Sequence, residues 1–194
     1  MNEVMKKIIV WLFALLALPG WAQESTSAFR PDTTINKKLV LEDSQSVKWF
    51  CPSAHEWKVS YLNIRPYPFT LFVDGTGTHY LFAYFYEGNP KNQYSAFEIG
   101  YASDIPQITK LHPYTVADSL FATESGITLG MSEQELLRLK GKEHQRQEDN
   151  GTWLMYKLDE QSSFCRRYHM PGYVMKVRIA DGKVAGVWLG FEYP

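Results

Sequence analysis

Strand-length segments with alternating side chains, each followed by a tight turn, dominate the chain from residue 59 onward. The clearest example is the C-terminal pair Tyr173–Ala180 and Val187–Phe191, which flanks the dipeptide Asp181-Gly182. Asp and Gly tolerate the positive φ angles that a two-residue hairpin turn requires. Because successive side chains of a strand point to opposite faces, the alternation predicts an antiparallel sheet with one apolar and one mixed face.

The N-terminal half has a second set of expected strands. Aromatic residues make up 15 % of the chain, and aromatic side chains favour strands. The segment 79–87 is apolar on both faces, as is typical of a strand in the middle of a covered sheet. Turn residues separate the segments, which together predict an antiparallel meander. The expected strands lie at 59–65, 69–74, 79–87 and 94–103.

The sequence contains one clear helix start. Ser132 with Glu135 three residues later forms a capping box, in which each side chain binds a free backbone N–H of the first turn. Leucines follow, and Gly141 is a suitable left-handed C-cap. We therefore expect an α+β fold, mainly antiparallel sheet, with this short capped helix packed on the C-terminal sheet. Its expected apolar partners are Val177, Ile179, Leu189 and Phe191.

The N-terminus has the pattern of a bacterial signal peptide. Two lysines precede an unbroken apolar run over Ile8–Leu18, and the small residues Gly20 and Ala22 fit the positions that signal peptidase recognises. A membrane-spanning helix needs about 20 apolar residues, so this run is too short to be an anchor. The pattern predicts a signal peptide over 1–22, cleaved before Gln23. We expect a periplasmic or secreted protein with no integral membrane segment after cleavage.

Composition sets the domain organisation and excludes one class of partner. Residues 23–36 are polar and lack periodicity, which predicts a flexible leader. Residues 37–194 suffice for a single α+β domain, built either as one body or as two lobes over 37–103 and 122–194. The chain has 20 basic and 21 acidic residues. This near balance argues against binding to nucleic acid, which requires a basic excess.

The C-terminal third resembles a known group of envelope proteins. The stretch Gly126–Ser132, followed by Glu135-Leu136, Gly141 and a segment ending in Lys183–Val187, is similar to the SmpA/OmlA and β-lactamase-inhibitor-like families. The resemblance covers residues 126–194 and implies a short helical element on a small antiparallel sheet. It also implies an envelope protein that binds another protein and does no chemistry. Unlike SmpA-type lipoproteins, the chain has no cysteine directly after its apolar run.

The two cysteines, Cys51 and Cys165, have three possible roles. In an oxidising compartment the simplest expectation is one disulfide between them. The alternatives are two free thiols and a zinc site, because His55 and His169 each stand four residues after a cysteine and could complete a tetrahedral Cys2His2 set. Either cysteine could also form a catalytic dyad with one of these histidines or with His112, but no spacing places such a pair together. We expect no cofactor.

Acidic and aromatic residues of the N-terminal half give two further hypotheses. Glu87, Glu98 and Asp104 could supply the paired carboxylates of a glycoside hydrolase, or could be solvated strand ends. Alternating aromatic residues of the expected strand 79–87 could form a platform for a sugar or a protein, or an aromatic core ladder. They are Tyr80, Phe82, Tyr84 and Tyr86.

The last hairpin supplies the expected binding face. Tryptophan and arginine are enriched at binding hot spots, and this face carries both. No catalytic signature such as a nucleophile elbow is present, so we expect a non-catalytic envelope module that binds another envelope protein. A small extracytoplasmic hydrolase and a glycan-binding β-module are the alternatives. The candidate binding residues are Trp188, Arg178, Lys176 and Glu192.

Overall fold

The computed structural model describes residues 29–54, 56, 58–142, 144–148 and 151–193. The expected signal peptide and the first residues of the expected leader lie outside this part of the chain, as does His55. None of the helices in the described part is long and apolar enough to cross a membrane.

The described chain forms ten strands and three short α-helices. Two strands, β1 (Thr34–Ile35) and β2 (Leu39–Val40), form a small separate hairpin. The helices are α1 (Val47–Phe50), α2 (Glu133–Lys140) and α3 (Ser163–Tyr168). Two 3-10 helices lie at Ala102–Asp104 and Ile108–Leu111. The other strands are β3 (Phe69–Val73), β4 (His79–Tyr84), β5 (Ala96–Tyr101), β6 (Tyr114–Thr115), β7 (Gln145–Glu148), β8 (Thr152–Asp159), β9 (Gly172–Ala180) and β10 (Lys183–Phe191).

These eight strands form one sheet in the order β6-β3-β4-β5-β10-β9-β8-β7. All neighbouring strands are antiparallel except β3 and β6. The predicted α+β, mainly antiparallel fold is therefore confirmed. The meander β3–β5 and the meander β7–β10 meet where β5 pairs with β10, so the two β-rich halves share one continuous sheet.

One face of the sheet is closed by the helices and the N-terminal segment. Leu136 of α2 is fully buried among apolar side chains of β9 and β10, as predicted for the capped helix. The capping box is present: the Glu135 amide donates to the Ser132 hydroxyl, and the Ser132 amide donates to the Glu135 carboxylate. The sheet residues in this cluster include the expected Val177, Ile179, Leu189 and Phe191.

Part of the expected flexible leader is built into the fold. Ile35 is fully buried in β1, and Asp32 is 2 % exposed. Asp32 forms an ion pair with Lys140 of α2 at 2.7 Å, and Lys140 is itself only 1 % exposed. Ser125 donates a further hydrogen bond to the same carboxylate. A buried ammonium needs such partners, so the segment is fixed by the charge that α2 brings into the core.

The expected strand at 59–65 does not form. Only Ser60 makes an isolated bridge, to Phe69, and the rest of the segment is a loop of turns. Pro66 and Pro68 have no N–H to donate to a ladder, and Arg65 is drawn away to a carboxylate on β5. Alternation alone therefore gave the wrong structure for this segment.

The predicted disulfide between Cys51 and Cys165 is wrong, because both thiols are free and buried. The Cys51 thiol contacts the carbonyl of Thr115 on β6 at 3.9 Å, and the Cys165 thiol contacts the carbonyl of Leu158 on β8 at 3.8 Å. Six inter-strand steps of about 4.8 Å separate these strands, or roughly 29 Å. Disulfides require Cα atoms within about 7 Å.

The same separation excludes the Cys2His2 zinc site. Cys51 and Cys165 cannot bind one ion across the sheet, and His169 is exposed at the end of α3. Among the residues that the structure describes, no group of three or more His, Cys, Asp or Glu side chains could hold a metal ion.

We expect both cysteines to react as free thiols once the protein is unfolded. Alkylation in denaturant without a reductant should add two labels, whereas labelling of the folded protein should be slow because both sulfurs are buried. Intact-protein mass spectrometry measures the count. A sample reduced beforehand is the control and should give the same mass; two labels that appear only after reduction would establish a disulfide.

Candidate functional site

A groove of about 990 Å³ lies on the face of the sheet that the helices leave open. Side chains of β4, β5, β8, β9 and β10 form its floor. The loop that contains Arg65 and Tyr67 lies along one side, and Asp104 and Ile105 contribute from the 3-10 turn after β5. The volume is at the upper end of the range typical of ligand sites.

Strand register explains which side chains the floor presents. Glu98 of β5 is paired with Trp188 of β10, which is paired with Lys176 of β9. In the neighbouring row, Gly186 lies between Gly100 and Arg178. Since every second residue faces the same side, these two rows of polar, aromatic and glycine residues all face the groove.

Glu98 is the centre of the site. Its carboxylate accepts a hydrogen bond from the Tyr80 hydroxyl at 2.7 Å and one from the Tyr84 hydroxyl at 2.5 Å. Arg65 donates through Nη2 at 2.5 Å and forms an ion pair with the same carboxylate. Hydrogen bonds to an ionised group are stronger than hydrogen bonds between neutral groups. Three donors therefore hold the carboxylate in place and tie the loop to the sheet.

Gly100 is required for this arrangement. The Tyr80 ring lies across it, and a Cβ at this position would be 2.5 Å from the Tyr80 hydroxyl oxygen. Any side chain at Gly100 would displace the ring and its hydrogen bond to Glu98. Gly186 in the adjacent strand is not needed in this way, because the nearest atom to its Cβ would be 3.5 Å away on Arg178.

The environment of the Glu98 cluster fixes the protonation of its donors. Burial raises the pKa of Tyr80 and of Tyr84, and the negative charge of Glu98 raises it further. Burial by itself would lower the pKa of Arg65, but the attraction of Glu98 outweighs it and the pKa is raised. The two tyrosines therefore stay neutral donors and the arginine stays charged near neutral pH.

A second ion pair and two unpaired lysines complete the charged floor. Arg178 donates to Asp104 at 2.6 Å and also to the carbonyl of Ala185. The ammonium of Lys176 lies 5.8 Å from the centre of the Trp188 ring. Lys176 and Lys157 are exposed, and neither makes an ion pair within the described residues.

The groove is lined mainly by charged, aromatic and aliphatic side chains. The described residues that line the groove include no serine, cysteine or histidine to act as a nucleophile or as an imidazole base. A glycosidase mechanism needs one protonated and one free carboxylate. Glu98 accepts hydrogen bonds from three donors, and Asp104 forms an ion pair with Arg178.

The groove brings together all four residues of the expected binding face. Its lining includes Trp188, Arg178, Lys176 and Glu192, and the face that they form is concave. Trp188 is half-buried and packs against the apolar cluster of β3 and β4 on the same face.

The other candidates divide between the groove and the rest of the molecule. Glu98 and Asp104 reach the groove, but Glu87 lies in a separate small pocket beside Tyr193. The aromatic row of β4 is mainly core, with Phe82 fully buried and only tyrosine edges in the groove. His112 is exposed in a loop.

The sequence analysis did not single out several groove residues, among them Trp153, Lys157 and Arg65. Trp153 and Lys157 face the groove from β8, and the alternation of that strand was sufficient to place them on one face. Arg65 had no such signal, because its role depends on a loop that crosses to β5.

Comparison with protein-family models, with curated proteins and with solved structures finds no match to this chain. The resemblance of residues 126–194 to SmpA/OmlA and β-lactamase-inhibitor-like proteins stays a prediction. The groove is therefore interpreted from its own geometry.

Replacing Glu98 should destabilise the protein strongly. Glu98→Ala leaves a half-buried guanidinium and the hydroxyls of two buried tyrosines without their acceptor, which should cost about 2–4 kcal/mol of unfolding free energy. Urea denaturation measures the loss. The matched control is Glu87→Ala, an exposed glutamate that should change stability by less than about 0.5 kcal/mol. Equal effects of the two changes would show that the Glu98 cluster contributes no stability.

Stability should decline in alkali because of the buried tyrosines. Burial raises the pKa of Tyr94 and of Tyr156 to about 12, and that of Tyr173 well above its usual 10.0. The folded state then keeps protons that the unfolded state loses, so the stabilisation is complete below pH 10 and decreases as pH rises above it.

Urea midpoints measured between about pH 9 and pH 12 test this decline, with tyrosinate absorbance followed in parallel. The control is Tyr61→Phe, at a tyrosine that is 71 % exposed, which should leave this decline unchanged. Ionisation of every tyrosine near pH 10 in a protein that stays folded would contradict the expectation.

Proposed function

We propose that this chain is a non-catalytic binding protein that holds its ligand in the groove on the open face of the sheet. One observation carries the proposal: the groove is large enough for a ligand, and two of its three carboxylates, Glu98 and Asp104, are held by arginine and tyrosine donors. Such a site presents a charged and aromatic surface in which Glu192 is the remaining carboxylate. Preorganised side chains of this kind lower the cost of binding.

The shape of the site favours insertion of a ligand over contact with a flat partner. The residue types of four groove side chains support a binding role, because tryptophan and arginine are enriched at binding hot spots. These four are Trp188, Arg178, Lys176 and Glu192. Their position on a concave floor means that a flat protein surface would not reach them. A partner protein would have to place a projecting segment into the groove.

The compartment is part of the same proposal. The signal-peptide pattern over 1–22 supports export, so the ligand would be met in the periplasm or outside the cell. A periplasmic or secreted protein of this kind would have access to surface polymers and to other envelope proteins.

A small hydrolase is the second candidate function. The observation in its favour is that Glu98 and Asp104 line one groove with several other titratable groups, which is the usual arrangement of an active site. Its weakness is that both carboxylates are ion-paired.

Binding of anilinonaphthalene sulfonate tests the groove, because this dye has flat rings and an anionic group that match Trp188 and Lys176. We expect saturable one-site fluorescence enhancement that Trp188→Ala weakens at least tenfold, since aromatic anchors dominate binding energy. The control Trp49→Ala removes a tryptophan that is 76 % exposed in α1, on the closed side, and should leave binding unchanged.

Circular dichroism and urea midpoints verify that each variant is folded. Dye binding that Trp188→Ala does not affect would overturn the groove as a binding site. Release of nitrophenol from nitrophenyl glycosides or esters, lost in the folded Asp104→Asn variant, would establish the hydrolase instead.

A further inference from the structure

Two tryptophans stand on opposite sides of the groove floor. Trp153 on β8 is paired with Arg178, and Trp188 on β10 is paired with Lys176, so that strand β9 runs between them. Two inter-strand spacings and a two-residue offset put their Cα atoms about 12 Å apart. A single ring cannot cover both indoles, so a ligand that uses both must be extended and must carry more than one flat face.

The floor between the tryptophans carries an excess of positive charge. Arg65 and Arg178 are neutralised by Glu98 and Asp104. Lys157 and Lys176 are exposed without ion-pair partners in the described chain, and Glu192 is the one other acidic residue of the lining. The groove therefore has one uncompensated positive charge, and it lies in the half built by β8 and β9. A negatively charged group on the ligand would be attracted to this half.

The floor offers side chains but no free backbone groups. The strands β5, β10, β9 and β8 each have a hydrogen-bonded neighbour on both sides. An extended peptide binds most readily by adding to a sheet edge, and an amphipathic helix needs an apolar groove. Neither condition holds on this floor, whereas hydroxyl groups can bond to the fixed ammonium, guanidinium and carboxylate groups.

We infer that the groove binds an acidic oligosaccharide, and this inference rests on the proposed binding function. The apolar C–H faces of two sugar rings would pack on Trp153 and Trp188, whose ring faces carry partial negative charge. A sugar carboxylate would bind Lys176, with Lys157 close by. Hydroxyl groups would bond to Arg178 and Asp104.

The test compares a tetrasaccharide of galacturonic acid with its carboxyl-reduced, neutral counterpart by isothermal titration calorimetry on the full mature chain. The two probes share ring stereochemistry and linkages and differ only at C6, where a neutral hydroxymethyl group replaces each carboxylate. We expect the acidic probe to bind at least tenfold more tightly, and added salt to reduce the difference because it screens charges.

Variants identify the groups responsible. Lys176→Gln should weaken the acidic probe about tenfold and leave the neutral probe unchanged, whereas Trp188→Ala should weaken both. The control Lys183→Gln removes an exposed lysine at the start of β10, outside the groove lining, and should have no effect.

Each contrary result has its own meaning. Equal affinity for the two probes, insensitive to Lys176→Gln, would overturn the acidic class while the binding function stands. If neither saccharide binds but the dye still binds through Trp188, the saccharide inference fails and the groove function survives. If no probe binds, dye included, the proposed function fails with it.

Discussion

The pairing of β5 with β10 is the contact on which the rest of the molecule depends. Each half of the chain forms its own meander, and this antiparallel ladder, from Ala96 opposite Gly190 to Gly100 opposite Gly186, joins them. The two backbones approach closely where it begins: a Cβ on Gly190 would be 2.4 Å from the Cβ of Ala96. The ladder also makes Glu98 and Trp188 direct neighbours, so without it the groove would have no floor.

The two faces of this sheet are covered by different parts of the chain. The helices and the N-terminal segment close one face, and the buried ion pair between Lys140 and Asp32 fixes that cover in place. Burial lowers the pKa of Lys140, but the negative charge of Asp32 opposes the effect. Breaking a buried pair is costly because it leaves an uncompensated charge. On the other face, the loop before β3 and the 3-10 helices after β5 cover β3 and β4, and the groove lies beside them over β5, β8, β9 and β10.

The open face is stabilised by charge as well as by apolar packing. Beside the groove, on the same face of the sheet, aromatic side chains of β3 and β4 form a second cluster around Phe69 and Phe82. Next to this cluster, Glu98 binds Arg65 of the loop and the hydroxyls of two tyrosines of β4. These three donors hold the carboxylate in place and join the loop to the sheet.

Local patterns in the sequence were sufficient to predict much of the fold. The capping box at Ser132, the Asp181-Gly182 hairpin and the two-residue alternation of β9 and β10 each depend on neighbouring residues, and all three are present. The four residues of the expected binding face share one face because period-two alternation requires it. Two predictions were wrong, the strand at 59–65 and the disulfide between the cysteines. In both cases the structure depends on contacts with distant parts of the chain.

The sequence by itself determined the α+β class, the helix and its apolar partners, and the mixed face of the last hairpin, since these follow from interactions a few residues apart. Only the tertiary structure decided the strand order. That order separates Cys51 from Cys165 by six strand spacings and brings Arg65 to Glu98 across 33 positions of the chain. The physical reason is that the alternation of apolar and polar residues indicates which side of a strand is buried, but it does not indicate which strand lies beside it. Neighbours are chosen by the packing of the whole sheet, and the groove exists only after that choice.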